Sequence, residues 1–161
     1  LRKKSQSVEK VDDSIRKVMD DMLETMYEAP GIGLAAIQIG IPKRIIVLDI
    51  SKDPEKKEPM YFVNPEKIYT SKDQATYEEG CLSVPGQFAE IDRPDKCHIK
   101  YLDYGGDSKE LKAEGLLATC IQHEMDHLEG ILFIDYLSKL KRSMITKKLS
   151  KQKKELERIV V

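Results

Sequence analysis

Gln122-His123-Glu124-Met125-Asp126-His127 decides the reading of this chain, because two imidazoles four residues apart, with a carboxylate directly after the first, form a His-Glu-x-x-His pattern. That pattern signals a metal held on one face of an α-helix. Residues i and i+4 lie one turn apart, about 6 Å along the axis, so both rings reach a single ion from the same side. Glu124 projects off that face, close to the ion without being an obvious ligand. Leu116, Thr119, Cys120, His123 and His127 fall on one arc, which sinks the histidines into an apolar wall. Gly130 offers a C-terminal stop. The competing reading is a pair of hydrogen-bonded core histidines, which a short motif alone does not exclude.

A catalytic ion needs a third ligand. No histidine follows His127, and Glu155 and Glu157 sit in a lysine-rich tail, so the ligand must come from earlier in the chain. Cys120 shares the histidine face but lies seven residues before His127, about 10 Å along the axis, too far for a short side chain to bridge. Cys97 falls inside a predicted strand, where a small buried hydrophobe is the commoner role. Cys81, next to Gly80 on a bend, can aim a thiolate outward; it is favoured, with His98 as the outsider. Three protein ligands leave a tetrahedral ion one open position, the mark of a catalytic rather than a structural site.

The 161 residues fit one domain, 1–161, long enough to bury a core. A net charge of −1, from 27 basic and 28 acidic residues, argues against a general role on DNA or on a membrane surface. The sequence has no apolar run near roughly 18 residues and no signal-like start. Three cysteines, an odd number, point to reduced thiols and a cytosolic compartment. The chain starts at Leu1 rather than Met, so further native sequence is expected before it.

Apolar residues from Val11 to Met26 recur at three- and four-residue steps, which predicts a helix over 12–27, ended by Pro30 and Gly31. The small residues of Gly31–Gly40 let the backbone pass close to something, although a packing turn before a strand is the commoner meaning. Strands are predicted at 44–49, 61–64, 87–91 and 96–104, with a short one near Leu111 after a turn at Gly105-Gly106-Asp107. Residues 79–86 read as a bend. The motif helix spans about 116–128, and a charged surface helix runs from about Lys139 to the end.

Gly31–Gln38, Glu79–Ser83 and Gln122–Gly130, in this order, resemble the three signature motifs of peptide deformylases. The likeness extends through the terminal helix of the bacterial-type members. It implies removal of the formyl group from the N-terminal methionine of newly made polypeptides, with Fe²⁺ as native metal and Zn²⁺, Ni²⁺ or Co²⁺ as substitutes. It also implies an α+β fold, with antiparallel or mixed sheets around a central metal-binding helix and further helices at the N- and C-terminal ends. Carried over by position, Cys81, His123 and His127 are the ligands, Glu124 is the catalytic acid and base, and Gln38 and the Leu82 N–H are oxyanion donors. Ile32, Gly33, Tyr77, Gly80, Leu116, Thr119 and Cys120, with His123, shape the methionine pocket, and Gly33 and Gly80 offer backbone hydrogen bonds to an extended peptide. Asp126 pairs with Arg93 to brace the motif helix as outer support. Phe88 departs from the pattern, standing where some members carry an arginine near the substrate. The implied partners are an N-formyl-methionyl nascent peptide and, through the basic terminal helix, the ribosome surface. The implied location is the cytoplasm of a bacterium, or an organellar matrix in a eukaryote.

The parts suit this chemistry on physical grounds. With a metal present to acidify water, Glu124 takes the proton, and charge growing on the formyl oxygen is stabilised by the ion, the Gln38 amide and the Leu82 N–H. Two rivals remain at this stage. A zinc endopeptidase would use the same helix but leaves Gln38 and Cys81 idle, and a non-catalytic metal-stabilised interaction module would need a fourth protein ligand.

Overall fold

The computed structural model describes residues 1–160; Val161, the end of the expected terminal helix, lies outside the described residues. Helix α1, Asp13–Glu28, is capped by Asp12, whose carboxylate accepts the Ile15 N–H at 3.1 Å. Its apolar stripe, Ile15, Met19, Met22 and Met26, is buried. The small-residue run becomes a short strand, β1 (Gly33–Ala35), followed by a 3₁₀ turn, Ala36–Ile39, which Gly40 closes with φ 83°. There follow β2 (Ile45–Leu48), β3 (Met60–Thr70), β4 (Gln74–Cys81), β5 (Val84–Pro94), β6 (Lys96–Leu102) and β7 (Ser108–Glu114). The motif helix α2, Gly115–Leu128, a second 3₁₀ turn, Phe133–Tyr136, and α3, Lys139–Val160, complete the chain.

β1-β2-β3-β6-β7 form one sheet in that order, and β4 and β5 form a separate hairpin. All the strand pairings are antiparallel. The apolar run of β2 explains the layering. Successive strand residues face opposite sides: Ile46 and Leu48 join the core around α2, whereas Ile45 and Val47 join the core under α1. A strand covered on both faces carries no polar alternation. Phe62 lies in the same α2 core at 1 % exposure, and truncating it to Ala would cost about 3–5 kcal/mol. Helix α2 contacts both the sheet and the hairpin, and every residue from Ala118 to Leu128 is buried. A third cluster, including Val84, Ile91, Phe133 and Ile145, ties the hairpin to the second 3₁₀ turn and to α3.

Several strands depart from the sequence reading. β3 extends to Thr70 rather than ending near Asn64; its outer half, Glu66 to Thr70, is exposed, and its adjacent Ile68 and Tyr69 break the apolar–polar alternation that marks a half-buried strand. β4 is a full strand where only a bend at 79–86 was read, and β5 is longer at both ends than 87–91. β7 fills the stretch where only a short strand near Leu111 was expected. The hairpin's ladder runs from Gln74↔Pro94 to Gly80↔Phe88, with a register shift before Cys81.

Candidate metal centre and its cleft

The helical spacing of α2 places the His123 and His127 rings 5.1 Å apart between centroids, at 71° to one another. Cys81 reaches them from the end of β4, where the register shift after Gly80 re-aims the chain. Its Sγ lies 3.4 Å from His127 Nε2, and one ligating atom from each of the three residues falls within 4.8 Å of the others. Tetrahedral bonds of about 2.0–2.3 Å set ligand atoms roughly 3.3–3.6 Å apart, so the Cys81–His127 separation already suits a bound ion. One thiolate and two imidazoles suit a borderline transition metal. Cys120 lines the cleft wall, Cys97 is buried in the core, and His98 lies on β6, so neither Cys97 nor His98 joins the cluster.

The two histidines are held differently. His123 Nδ1–H donates to Glu79 Oε1 at 2.8 Å. An ionised carboxylate only accepts, so this bond keeps a proton on Nδ1 and makes Nε2 the nitrogen that can ligate once it gives up its own proton. Burial alone would lower the His123 pKa, but its bonds to Cys81 and Glu79 and the charge of Glu124 outweigh this and push it to about 10. His127 has no such partner: burial, with the charge of His123, pushes it down to about 3, and its buried Nδ1 makes no hydrogen bond.

Glu124 Oε1 lies 3.9 Å from His123 Nε2, and its buried Oε2 has no partner. Burial raises its pKa to about 7, even though the His123 and Arg93 charges pull the other way. Gly33 makes room for this carboxylate, since a Cβ there would lie 2.9 Å from Glu124 Oε1. Gln38 Oε1 accepts the Ala35 N–H at 2.9 Å, which points Nε2 at Ser83 Oγ, 2.9 Å, and at Cys81 Sγ, 3.5 Å. The 3₁₀ turn of the small-residue run is therefore what delivers the amide to the thiol. Arg93 Nη1 and Asp126 Oδ2 meet at 2.8 Å, with both residues buried.

Gln38, Glu79, Cys81, His123 and Glu124 line a cleft of about 620 Å³. Ile32, Gly33, Tyr77, Gly80, Leu82, Leu116, Thr119 and Cys120 all line it, so the residues assigned to a methionine pocket share one cavity. Leu82 folds over Gly31, where a Cβ would meet its Cδ1 at 2.7 Å. The 65 % exposed Phe88 ring covers Gly80 and forms part of the rim.

Glu79, Ser83 and Tyr136 were given no role from the sequence. Glu79 left a trace: it precedes Cys81 by only two residues on β4. Tyr136, which bonds Asp126, lies ten residues further along the chain and left none.

A candidate cation site beside a buried carboxyl whose pKa burial raises is the arrangement of a metal-dependent hydrolase. Comparison with known proteins narrows this class. The sequence profile described as polypeptide deformylase matches residues 1–143. A peptide deformylase of Pelagibacter ubique is 69 % identical, over all of this chain and 92 % of its own length. One from Phenylobacterium zucineum is 62 % identical, over 96 % of this chain and 91 % of its own. The crystal structure of peptide deformylase from Ehrlichia chaffeensis superposes with a TM-score of 0.91 at 44 % identity, covering 96 % of this chain and 91 % of that one. The chain belongs to the peptide deformylase family, the metalloenzymes that remove the formyl group from N-formyl-methionyl peptides. No helix of the described residues is long and apolar enough to cross a membrane.

Proposed function

We propose that Cys81, His123 and His127 hold one divalent ion, natively Fe²⁺ and replaceably Zn²⁺, Ni²⁺ or Co²⁺, and that Glu124 carries the proton through deformylation. The observation behind this is the meeting of the three donors beside a cleft that Cys81, His123 and Glu124 line, with Glu124 Oε2 unpartnered. The ion would supply Lewis acidity for the formyl carbonyl and for an attacking water. Glu124, lifted by burial into the range where it both accepts and donates near neutral pH, takes the water proton as the C–O bond forms. It returns that proton to the amine as the C–N bond breaks, releasing formate and a free N-terminus. Gln38 Nε2, aimed by its bond from Ala35, and the Leu82 N–H stabilise charge on the formyl oxygen. Leu116, Thr119 and Cys120 take the methionine side chain, while Gly33 and Gly80 present backbone to the peptide.

Arg93 and Asp126 brace α2 from behind. Phe88 offers an apolar surface to residues beyond the methionine, where an arginine would offer charge. Helix α3, with nine lysines and arginines against two glutamates, supplies a basic face for the ribosome surface. We place the protein in the cytoplasm, where the free thiols of Cys81, Cys97 and Cys120 would stay reduced.

The test is formate release from a formyl-methionyl tripeptide, against an internal-peptide substrate, with metal analysis of protein purified under argon. Deformylation with one equivalent of iron is expected. Cleavage of the internal peptide, or full activity without metal, would overturn the assignment.

A further inference from the structure

The 3₁₀ turn Phe133–Tyr136 repeats every three residues, so its first and last side chains leave on the same side. Both address the metal-binding helix. The Phe133 ring stacks on the His123 imidazole, with centroids 6.0 Å apart and planes at 25°. The Tyr136 hydroxyl donates to Asp126 Oδ2 at 2.6 Å, although its ring is half exposed. That same oxygen accepts from Arg93 Nη1 at 2.8 Å. Arg93 Nε and Nη2 then grip the two oxygens of Glu79 at 2.7 and 3.0 Å, and Glu79 Oε1 accepts the His123 Nδ1–H. Four links therefore run from a surface hydroxyl to the back of one ligand.

His127 has no counterpart to this chain, since its buried Nδ1 is unpartnered. The orientation of the histidine pair therefore depends on His123. Arg93 is the middle of the chain and is held from both ends, by two bonds on the Glu79 side and one on the Asp126 side. The Asp126 end is the weaker one, and Tyr136 is what stops that carboxylate from turning about its single arginine bond. Asp126, Arg93 and Glu79 are buried, and hydrogen bonds in a buried network polarise one another, so a change at one member is felt at the next.

We propose that Tyr136 is a positioning residue for the metal centre: through Asp126, Arg93 and Glu79 its hydroxyl sets the rotation of the His123 ring, whose plane Phe133 supports. This rests on the reading that Cys81, His123 and His127 hold the ion. Tyr136 touches no ligand itself, and its ring also lies 4.9 Å from the Arg93 guanidinium, so a purely packing role is the competing explanation.

Tyr136→Phe separates the two, because it keeps the ring and removes only the hydroxyl. The whole chain is loaded with one equivalent of Co²⁺, and two signals are read: the rate of Co²⁺ loss to a chelator, and the visible d–d bands, which report the ligand field. Wild-type binding of one Co²⁺ establishes the centre without any deformylase assay, so failure of that reading would show there first. Outer partners of a ligand typically change metal affinity about 10- to 100-fold; for a group further along the chain, Tyr136→Phe is expected to speed Co²⁺ loss about 3- to 10-fold and shift the bands. In a Glu79→Gln background, which cuts the chain beside His123, the same substitution is expected to add nothing. Asp126→Asn serves as the cut if Glu79→Gln holds no cobalt. Unchanged loss rate and spectrum in Tyr136→Phe, or an equal effect in the intact and cut backgrounds, would overturn the proposal and leave Tyr136 as packing.

Discussion

Gly33→Ala would test whether the placement of Glu124 governs the rate. A methyl group at this position would lie 2.7 Å from Leu48 Cδ2 and 2.9 Å from Glu124 Oε1, where ordinary contact begins near 3.4 Å. The two neighbours must therefore retreat by roughly 0.7 and 0.5 Å. Leu48 is fully buried and has no room, whereas Glu124, 5 % exposed, can yield only toward the cleft it lines, away from its present place. Overpacking of this kind costs about 1–3 kcal/mol, which for a chain of this size lowers Tm by roughly 3–10 °C. The larger consequence is kinetic. A proton carrier displaced by about half an ångström to 1 Å loses on the order of 10- to 100-fold in kcat/KM. The backbone N–H survives the change, and the three atoms nearest the methyl belong to Leu48 and Glu124 rather than to a ligand, so metal content is expected to stay at the wild-type level. Formate release, thermal unfolding and metal analysis on one preparation decide the matter. Wild-type kcat/KM and Tm together would refute the wedging of Gly33 against Glu124, and joint loss of metal and activity would move the damage to the ligands.

Glu124→Gln fills the same space without accepting a proton, so metal is expected to remain while kcat falls by about 100-fold or more; loss of metal along with the rate would make Glu124 structural. Iron-loaded enzyme is expected to lose activity in air far faster than nickel-loaded enzyme, because oxygen reaches both the ion and the Cys81 thiolate. Equal decay of the two forms, with Cys81 unmodified by mass spectrometry, would remove the oxidation account. Cys81→Ser is expected to bind either metal more weakly, since a hydroxyl ionises far less readily than a thiol; full metal occupancy and activity would place the third ligand elsewhere. Away from the site, burial alone would raise the Asp49 pKa, but hydrogen bonds from Ser51, Tyr27 and the Glu58 N–H reverse this and hold it below its ordinary value. A lowered carboxyl adds stability above its unfolded pKa of about 3.9 and loses it as pH falls through the folded value. Asp49→Asn is thus expected to destabilise the metal-free protein at pH 7 and to converge with wild type in acid; a gap that does not change with pH would contradict this.

What the sequence made legible follows how local each signal is. Helices α1 and α2 were readable because their apolar residues recur at the helical period, and β2 because both its faces are covered. Of the hairpin only 87–91 of β5 was readable, and β4 was not, since its outward residues are charged and its ladder is made of backbone bonds that no residue type announces. At the site the same rule holds with a sharper consequence. Spacing along α2 presents His123 and His127 as equals, one turn apart. The fold makes them unequal, because His123 has the Glu79 carboxylate of β4 at its back and the Phe133 ring on its face, whereas the outer nitrogen of His127 meets neither donor nor acceptor. An i, i+4 pair therefore specifies that an ion can bind. Which ring is fixed and which can adjust is decided by a carboxylate 44 residues away in sequence.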